Sequence, residues 1–218
     1  ELLPTNDVTA EMAKLTENSF RDVNIAFANE LSLISDKLGI DVWELINLAN
    51  HHPRVNILQP GPGVGGHCIA VDPWFIVAAD PENSKLIHTA RKVNDGKPEW
   101  VKQKVKEAVA ESNASKIAVF GLAFKADIDD LRESPALNIA VDLAEELEDK
   151  QILAVEPNVS ELPKRLKGFD NVELVSYTDA LEQADVIVLL VDHKEFKALA
   201  NDKFEGKNVV DTKGLLNR

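Results

Sequence analysis

Cysteine is nearly missing from this chain, which carries one thiol, Cys68, in 218 residues. A single thiol excludes an internal disulfide framework and fits a reducing, cytoplasmic setting. Basic residues are also short: 24 Lys and Arg stand against 37 Asp and Glu, for a net charge of −13. That balance argues against a general nucleic-acid-binding surface, and any anionic ligand must be held by local basic groups against an unfavourable background field. The longest aliphatic run, Val186 to Val191, is far too short to cross a membrane. Glu1-Leu-Leu-Pro is neither basic nor followed by an apolar stretch, so no secretory leader is read there. The chain lacks an initiator methionine and enters a helical pattern abruptly, which suggests a piece of a longer protein. Low-complexity segments and short repeats are absent as well, and an apolar content of 44% is enough to bury a real core in one large or two modest domains.

What is present is concentrated in Gln59 to Phe75, QPGPGVGGHCIAVDPWF. Here Cys68 directly follows a glycine-rich turn and precedes Asp72 by four residues. Gly61, Gly63, Gly65 and Gly66 allow the backbone to approach a ligand closely, while Pro60 and Pro62 stiffen the loop. Two readings of Cys68 stand side by side. It is a prepared nucleophile, its thiolate favoured if a helix begins nearby, or it is a small buried residue after a tight turn. A Walker loop is excluded, because His67 and Cys68 occupy the place of Lys and Ser or Thr. The letters Gly61 to Gly66 match a dinucleotide fingerprint, but the residues before them make a poor strand and no clear βαβ unit follows.

From Thr9 to about Leu38 there is no Gly or Pro, and Met12, Leu15, Val23, Phe27, Leu31, Ile34 and Leu38 recur near helical spacing. This predicts one helix about 45 Å long. Its apolar surface exceeds what a small helical domain can cover, which predicts self-association. Lys14 and Asn18 share one face of it. Asp41 with Glu44 predicts a capped second helix through Asn50, and further helices are read over 73–79, 84–95 and 98–111, the last with Pro98 in its first turn. After Ser115 the period changes. Strands are predicted at 116–121, 152–155, 172–175, 186–191 and 208–211, alternating with helices, one of them capped by Ser134-Pro135. The fold class is therefore α/β: an all-helical domain over 1–96, then a Rossmann-like parallel-sheet domain over 97–218. The loop after the first strand carries Lys125 and Arg132 at the carboxyl end of the sheet, where such folds bind ligands, and the helix after it adds backbone donors for an anion.

Four motifs, AEMAKLTENSF, PGPGVGGHCIAVDPWF, GLAFKADIDDLRESPA and VVDTKG, together resemble the UDP-glucose/GDP-mannose dehydrogenase family along nearly the whole chain. The resemblance implies the central and C-terminal domains of an NAD-dependent nucleotide-sugar 6-dehydrogenase, with the N-terminal NAD-binding domain absent. It implies a reaction that oxidises the sugar C6 alcohol twice, using two NAD+, through a cysteine thiohemiacetal and thioester. Cys68 matches the family nucleophile, Lys14 and Asn18 the groups that stabilise the developing oxyanion, and Asp72 the carboxylate that handles water and pairs with the lysine. Gly65, Gly66, Phe124, Lys125, Arg132 and Lys213 match substrate-binding positions, and Arg54 resembles an arginine that reaches a partner subunit's substrate. UDP-glucose enzymes usually carry lysine where this chain has Val71. The CIAVDPWF variant instead resembles members acting on UDP-N-acetyl-D-mannosamine, in polysaccharide precursor synthesis. A homodimer through helix 9–38 is implied too.

Other classes stay open. Without the resemblance, Lys14 and Asn18 read as a solvated helix face, and a non-catalytic UDP-sugar-binding module or a dehydrogenase for UDP-N-acetylglucosamine are alternatives. A cysteine hydrolase needs a histidine paired with Cys68, and adjacent His67 is badly placed for that. No metal site is read: His51, His52, His67 and Cys68 lack zinc spacing, and Asp127, Asp129 and Asp130 lack the glycine and glutamate of a calcium loop.

Overall fold

A computed structural model describes residues 2–216, and the chain forms two units, Glu1–Pro60 with Gly66–Asp95 and Gly61–Gly65 with Gly96–Arg218. In the first unit, α1 (Asp7–Leu38) starts two residues before Thr9 because the Asn6 side chain accepts the Thr9 N–H at 2.8 Å. It ends at Gly39, whose left-handed φ of 67° turns its N–H onto the Asp36 and Ser35 carbonyls. The second helix, α2 (Val42–Asn50), is capped by Asp41, which accepts from Glu44 N at 2.8 Å. A third, α3 (Asp72–Ala79), follows the glycine-rich loop.

The buried face of α1 is not the apolar stripe read from the sequence. Asn18, Ser19, Asp22, Ala26, Ala28, Asn29, Ser32 and Ser35 are inside; of the stripe, Leu15, Val23 and Leu31 are half-buried and Met12, Phe27, Ile34 and Leu38 exposed, Phe27 at 52%, as is nearby Phe20 at 69%. The inward face is organised by charge. Arg91 Nη1 lies 2.5 Å from Asp22 Oδ1, Asn94 Nδ2 donates to the same oxygen at 2.8 Å, and Asn29 donates to Asn94 Oδ1 at 2.9 Å. Burial, with Oδ2 lacking a hydrogen-bond partner among the described residues, holds the Asp22 carboxyl above its ordinary range in spite of Arg91.

Arg91 and Asn94 belong to α4 (Lys85–Ser112), a single helix where two were expected, with Pro98 inside it rather than in a first turn. An interior proline removes one i→i−4 hydrogen bond and crowds the carbonyl four residues back, a penalty of about 3 kcal/mol. Tertiary packing overrides it on both sides. Residues 85–95 are anchored to α1 through Arg91 and Asn94, and Val101, Val105 and Val109 are buried in the core of the sheet unit.

That sheet is wholly parallel, with order β3-β2-β1-β4-β5: β1 (Lys116–Phe120), β2 (Gln151–Val155), β3 (Val172–Leu174), β4 (Val186–Leu189) and β5 (Asn208–Asp211). Alternate residues feed two cores. Ile117, Val119, Ile152, Ala154, Val186 and Val188 pack with α4 and with α5 (Pro135–Glu146). On the opposite face, Ala118, Phe120, Leu153, Val155, Ile187 and Leu189 pack with α6 (Tyr177–Gln183), with Phe196 of α7 (Lys194–Lys197), and with Phe204 of the 3-10 turn Asn201–Phe204. Burial on both faces is why these strands read as continuous aliphatic runs. Strand order reverses between β1 and β4, so the crevice at their carboxyl ends is where such a sheet places ligands.

Candidate functional site

In the helical unit three of the sequence-predicted groups, Cys68, Asp72 and Asn18, gather around the start of α3. Cys68 is exposed, so it is not a buried core thiol. Nor is it on the helix: its carbonyl accepts from Val71 N at 3.1 Å and Asp72 N at 2.8 Å, a turn that precedes α3, whose first residue is Asp72. Reactivity at Cys68 therefore draws on access and neighbouring groups rather than on a place in the first helical turn. Half-buried Asp72 accepts from Asn18 Nδ2 at 2.5 Å, a bond across 54 residues that joins α1 to α3.

Lys14, one turn before Asn18, does not pair with Asp72. Its Nζ lies 3.1 Å from Glu17 Oε2, both side chains well exposed. Such an exposed i,i+3 pair contributes at most a few tenths of a kcal/mol, so it leaves Lys14 available to another partner at little cost. Arg54 is exposed in the turn after α2, its backbone N–H donating to His52 Nδ1 at 3.3 Å. Gly66, buried at φ 84°, is placed in this unit.

In the sheet unit, the segment Gly61–Gly65 lies against the loop that follows β1. A Cβ on Gly65 would sit 2.5 Å from the Glu133 carbonyl oxygen, 2.6 Å from Pro135 Cδ and 3.2 Å from Phe124 Cβ. One on Gly61 would sit 3.8 Å from Lys213 Nζ. Gly65, Phe124 and Lys213 are thus brought to one neighbourhood with the glycine loop. Lys125 and Arg132 are exposed on the same loop. Arg132 forms a two-pronged pair with Asp130, at 2.9 and 2.7 Å. Lys213 Nζ is 3.4 Å from Asp192 Oδ1. Burial alone would raise the Asp192 carboxyl, but Lys213 and Lys197 outweigh it and hold it below its ordinary range.

The first turn of α5 offers an anion less than the sequence promised. Pro135 has no N–H and Leu137 N is bonded to the Ser134 hydroxyl at 3.2 Å, which leaves the Ala136 amide.

Two buried groups at the strand ends escaped sequence reasoning. Glu156, just after β2, accepts from Leu122 N, Ala123 N and His193, and His193 follows β4. They are 37 residues apart, so no spacing rule joins them; the one available signal was their place at carboxyl ends of strands. A cavity of about 500 Å³ opens beside Glu156, lined also by Pro157, Leu174, Ser176 and Tyr177. Among the described residues no group of three or more His, Cys, Asp or Glu could hold a metal ion, and no helix is long and apolar enough to cross a membrane.

Two family models match the chain. The central domain of the UDP-glucose/GDP-mannose dehydrogenase family matches residues 8–96, and the UDP binding domain of the same family matches residues 118–218. A UDP-N-acetyl-D-mannosamine dehydrogenase of Yersinia pestis is 63% identical over 99% of this chain and 52% of that protein. An NDP-N-acetyl-D-galactosaminuronic acid dehydrogenase of Ralstonia nicotianae is 58% identical over 97% of this chain and 49% of that protein. The solved UDP-N-acetyl-mannosamine dehydrogenase of S. aureus superposes with a TM-score of 0.83 at 46% identity, covering 100% of this chain and 50% of that one. The chain spans about half the length of the curated relatives it matches.

Proposed function

From the chain's membership of the UDP-glucose/GDP-mannose dehydrogenase family, we propose that it is the catalytic and UDP-sugar-binding part of an NAD-dependent 6-dehydrogenase that converts UDP-N-acetyl-D-mannosamine to its uronate. The product is an acidic sugar donor of the kind that surface polysaccharide synthesis consumes in the cytoplasm. Residues 1–96 supply catalysis and dimerisation, and residues 97–218 hold the nucleotide. The observation that carries this reading is the Asn18–Asp72 contact at 2.5 Å, next to an exposed Cys68 whose carbonyl receives the Asp72 amide.

When bound, NAD+ would supply the hydride-accepting chemistry at the sugar carbon at each of two stages. The sheet unit does not fit it: the loop after β1 lacks the dinucleotide glycines, and both oxygens of Glu156, at the position that would take ribose hydroxyls, already accept protein donors. NAD+ is accordingly assigned to a domain outside these residues. What the chain's own residues do is hold carbon and move protons. The Cys68 thiolate adds to the aldehyde carbon, giving a thiohemiacetal whose oxygen takes up the negative charge. Asn18 and Lys14, released from Glu17, donate to that oxygen. At the acyl stage Asp72 accepts a proton from water, which attacks the thioester carbon and expels the Cys68 thiolate. Lys125, Arg132 and Lys213 take the diphosphate, with Phe124 and Gly65 shaping the site, and Arg54 reaches the substrate of a partner.

The exposed stripe of Phe20, Phe27 and Ile34 supports a homodimer through α1, since none of the described residues of the chain covers it. The test of the covalent role is Cys68→Ser in the full-length enzyme. It abolishes acid formation and spares UDP-sugar affinity, whereas undiminished turnover would reject the role. Titrating UDP-N-acetylglucosamine and UDP-glucose in parallel checks the sugar.

A further inference from the structure

The loop Gly121–Asp127 is tied to the sheet by two buried groups that the roles above do not use. Glu156 is 4% exposed. Its Oε2 accepts from Leu122 N at 2.8 Å, Ala123 N at 3.0 Å and His193 Nε2 at 3.0 Å, and its Oε1 accepts from Asn158 N and Nδ2, both at 3.1 Å. Fully buried His193 receives the Asp127 N–H on Nδ1 at 2.9 Å, so its proton sits on Nε2 and is donated to Glu156. Asp127, at a left-handed φ of 61°, accepts in turn from Lys194 N at 2.8 Å. Three loop amides, at 122, 123 and 127, are therefore held from the ends of β2 and β4. Phe124 and Lys125 lie in the span between them.

A buried carboxylate is weak as a source of stability, because a well-packed apolar group of similar size is often as good or better. What this one provides is a fixed loop. Lysine carries a flexible four-carbon stem, so its charge is well placed only if its backbone is, and a pre-set backbone reduces the ordering that binding demands.

We propose that Glu156 and His193 are positioning residues for nucleotide-sugar binding, fixing the loop span that carries Phe124 and Lys125 without themselves touching the substrate. This rests on the reading of Lys125 as a diphosphate contact. The experiment is a calorimetric titration of UDP into the 218-residue chain and its variants. A wild-type chain that fails to bind UDP, or a Lys125→Ala variant that binds as well as wild type, sinks that reading and the proposal with it.

When Lys125→Ala does weaken binding, His193→Phe decides the proposal alone. It keeps a ring beside Phe196, whose centroid is 5.3 Å away, but frees the Asp127 amide. It weakens UDP binding about tenfold, the loss that goes with one charge-assisted contact, and has no further effect in the Lys125→Ala background. Losses that add in the double variant, or unchanged UDP affinity in His193→Phe, overturn it. Should His193→Phe not fold, Asp127→Gly suits the positive φ and removes the tether to Lys194. It gives a smaller loss that likewise vanishes without Lys125, and a loss that persists there overturns the proposal.

Discussion

Gly65→Ala tests whether the glycine loop is built for close approach or is merely a flexible connection. The added methyl would sit 2.5 Å from a backbone oxygen, that of Glu133, and 2.6 Å from a ring carbon of Pro135. Ordinary contacts are about 3.5 Å or longer, and neither neighbour can rotate away, so one segment must retreat by close to an ångström. Overpacking of this kind destabilises by about 1–3 kcal/mol. For a unit of this size that is a fall in melting temperature on the order of 5 °C or more. Gly168→Ala, with nothing within 4 Å of the new carbon, is the control, and surface changes of that kind stay within about 0.5 kcal/mol. Because the Phe124 Cβ is 3.2 Å from the same position, Gly65→Ala also weakens UDP binding in the chain that remains folded. Scanning calorimetry and titration of both variants give the readout. If Gly65→Ala melts and binds like Gly168→Ala, the packing of the glycine loop on the loop after β1 is wrong.

Phe27→Asp places a charge in the middle of the exposed stripe of α1, where Phe27 is 52% exposed. Phe27 lies outside the buried core, so the folded monomer loses little, and the variant lowers the mass measured by light scattering at micromolar concentration if α1 is the self-association face. A variant with the wild-type mass would refute that. Glu156→Gln gives a pH test. Burial raises the Glu156 carboxyl, but His193 and the Leu122 and Asn158 amides outweigh it, so its folded value lies below the ordinary 4.5. A depressed carboxylate stabilises fully above its unfolded value, and that contribution disappears as pH falls through the folded one. The stability difference between wild type and Glu156→Gln, measured by denaturant melts, is therefore constant above about pH 5 and shrinks below 4.5. Asp22, shifted upward by burial, contributes the opposite slope in both proteins and cancels from the difference. A difference that grows on acidification would refute the assignment.

The sheet was legible because burial on both faces leaves no polar residue inside β1, β2 or β4, apart from Lys116 and Gln151 at the starts of β1 and β2. The interior of the helical unit was not. Periodicity finds the stripe of Met12, Phe27 and Ile34, yet a stripe says only that a face needs covering, not which molecule covers it. The inward face is polar, and its logic depends on Arg91, 69 residues from Asp22. Gly96-Lys97-Pro98 read as a break because local propensity was weighed without the packing that holds α4 on either side. At the site, Cys68, Asp72 and Asn18 were legible as residue types, and the Asn18–Asp72 bond joins two of them. The partner of Lys14 was not, since Glu17 is one of many acids within reach of a flexible lysine.

The electrostatics of the sheet unit explain why position matters more than charge count in a chain of net charge −13. Arg132 and Lys213 are already neutralised, by Asp130 and Asp192 respectively. On the proposed reading a diphosphate there would exchange one acceptor for another, so each of these two would contribute the difference between two ion pairs rather than a whole one. Among the described residues Lys125 has no ion-pair partner, so its attraction for a diphosphate is not offset by a lost contact. On the proposed reading its share of the affinity is the largest of the three, set by how firmly Glu156 and His193 hold the Leu122, Ala123 and Asp127 amides. A basic group that is fixed in place, not a basic surface, is how an acidic chain can bind an acidic ligand.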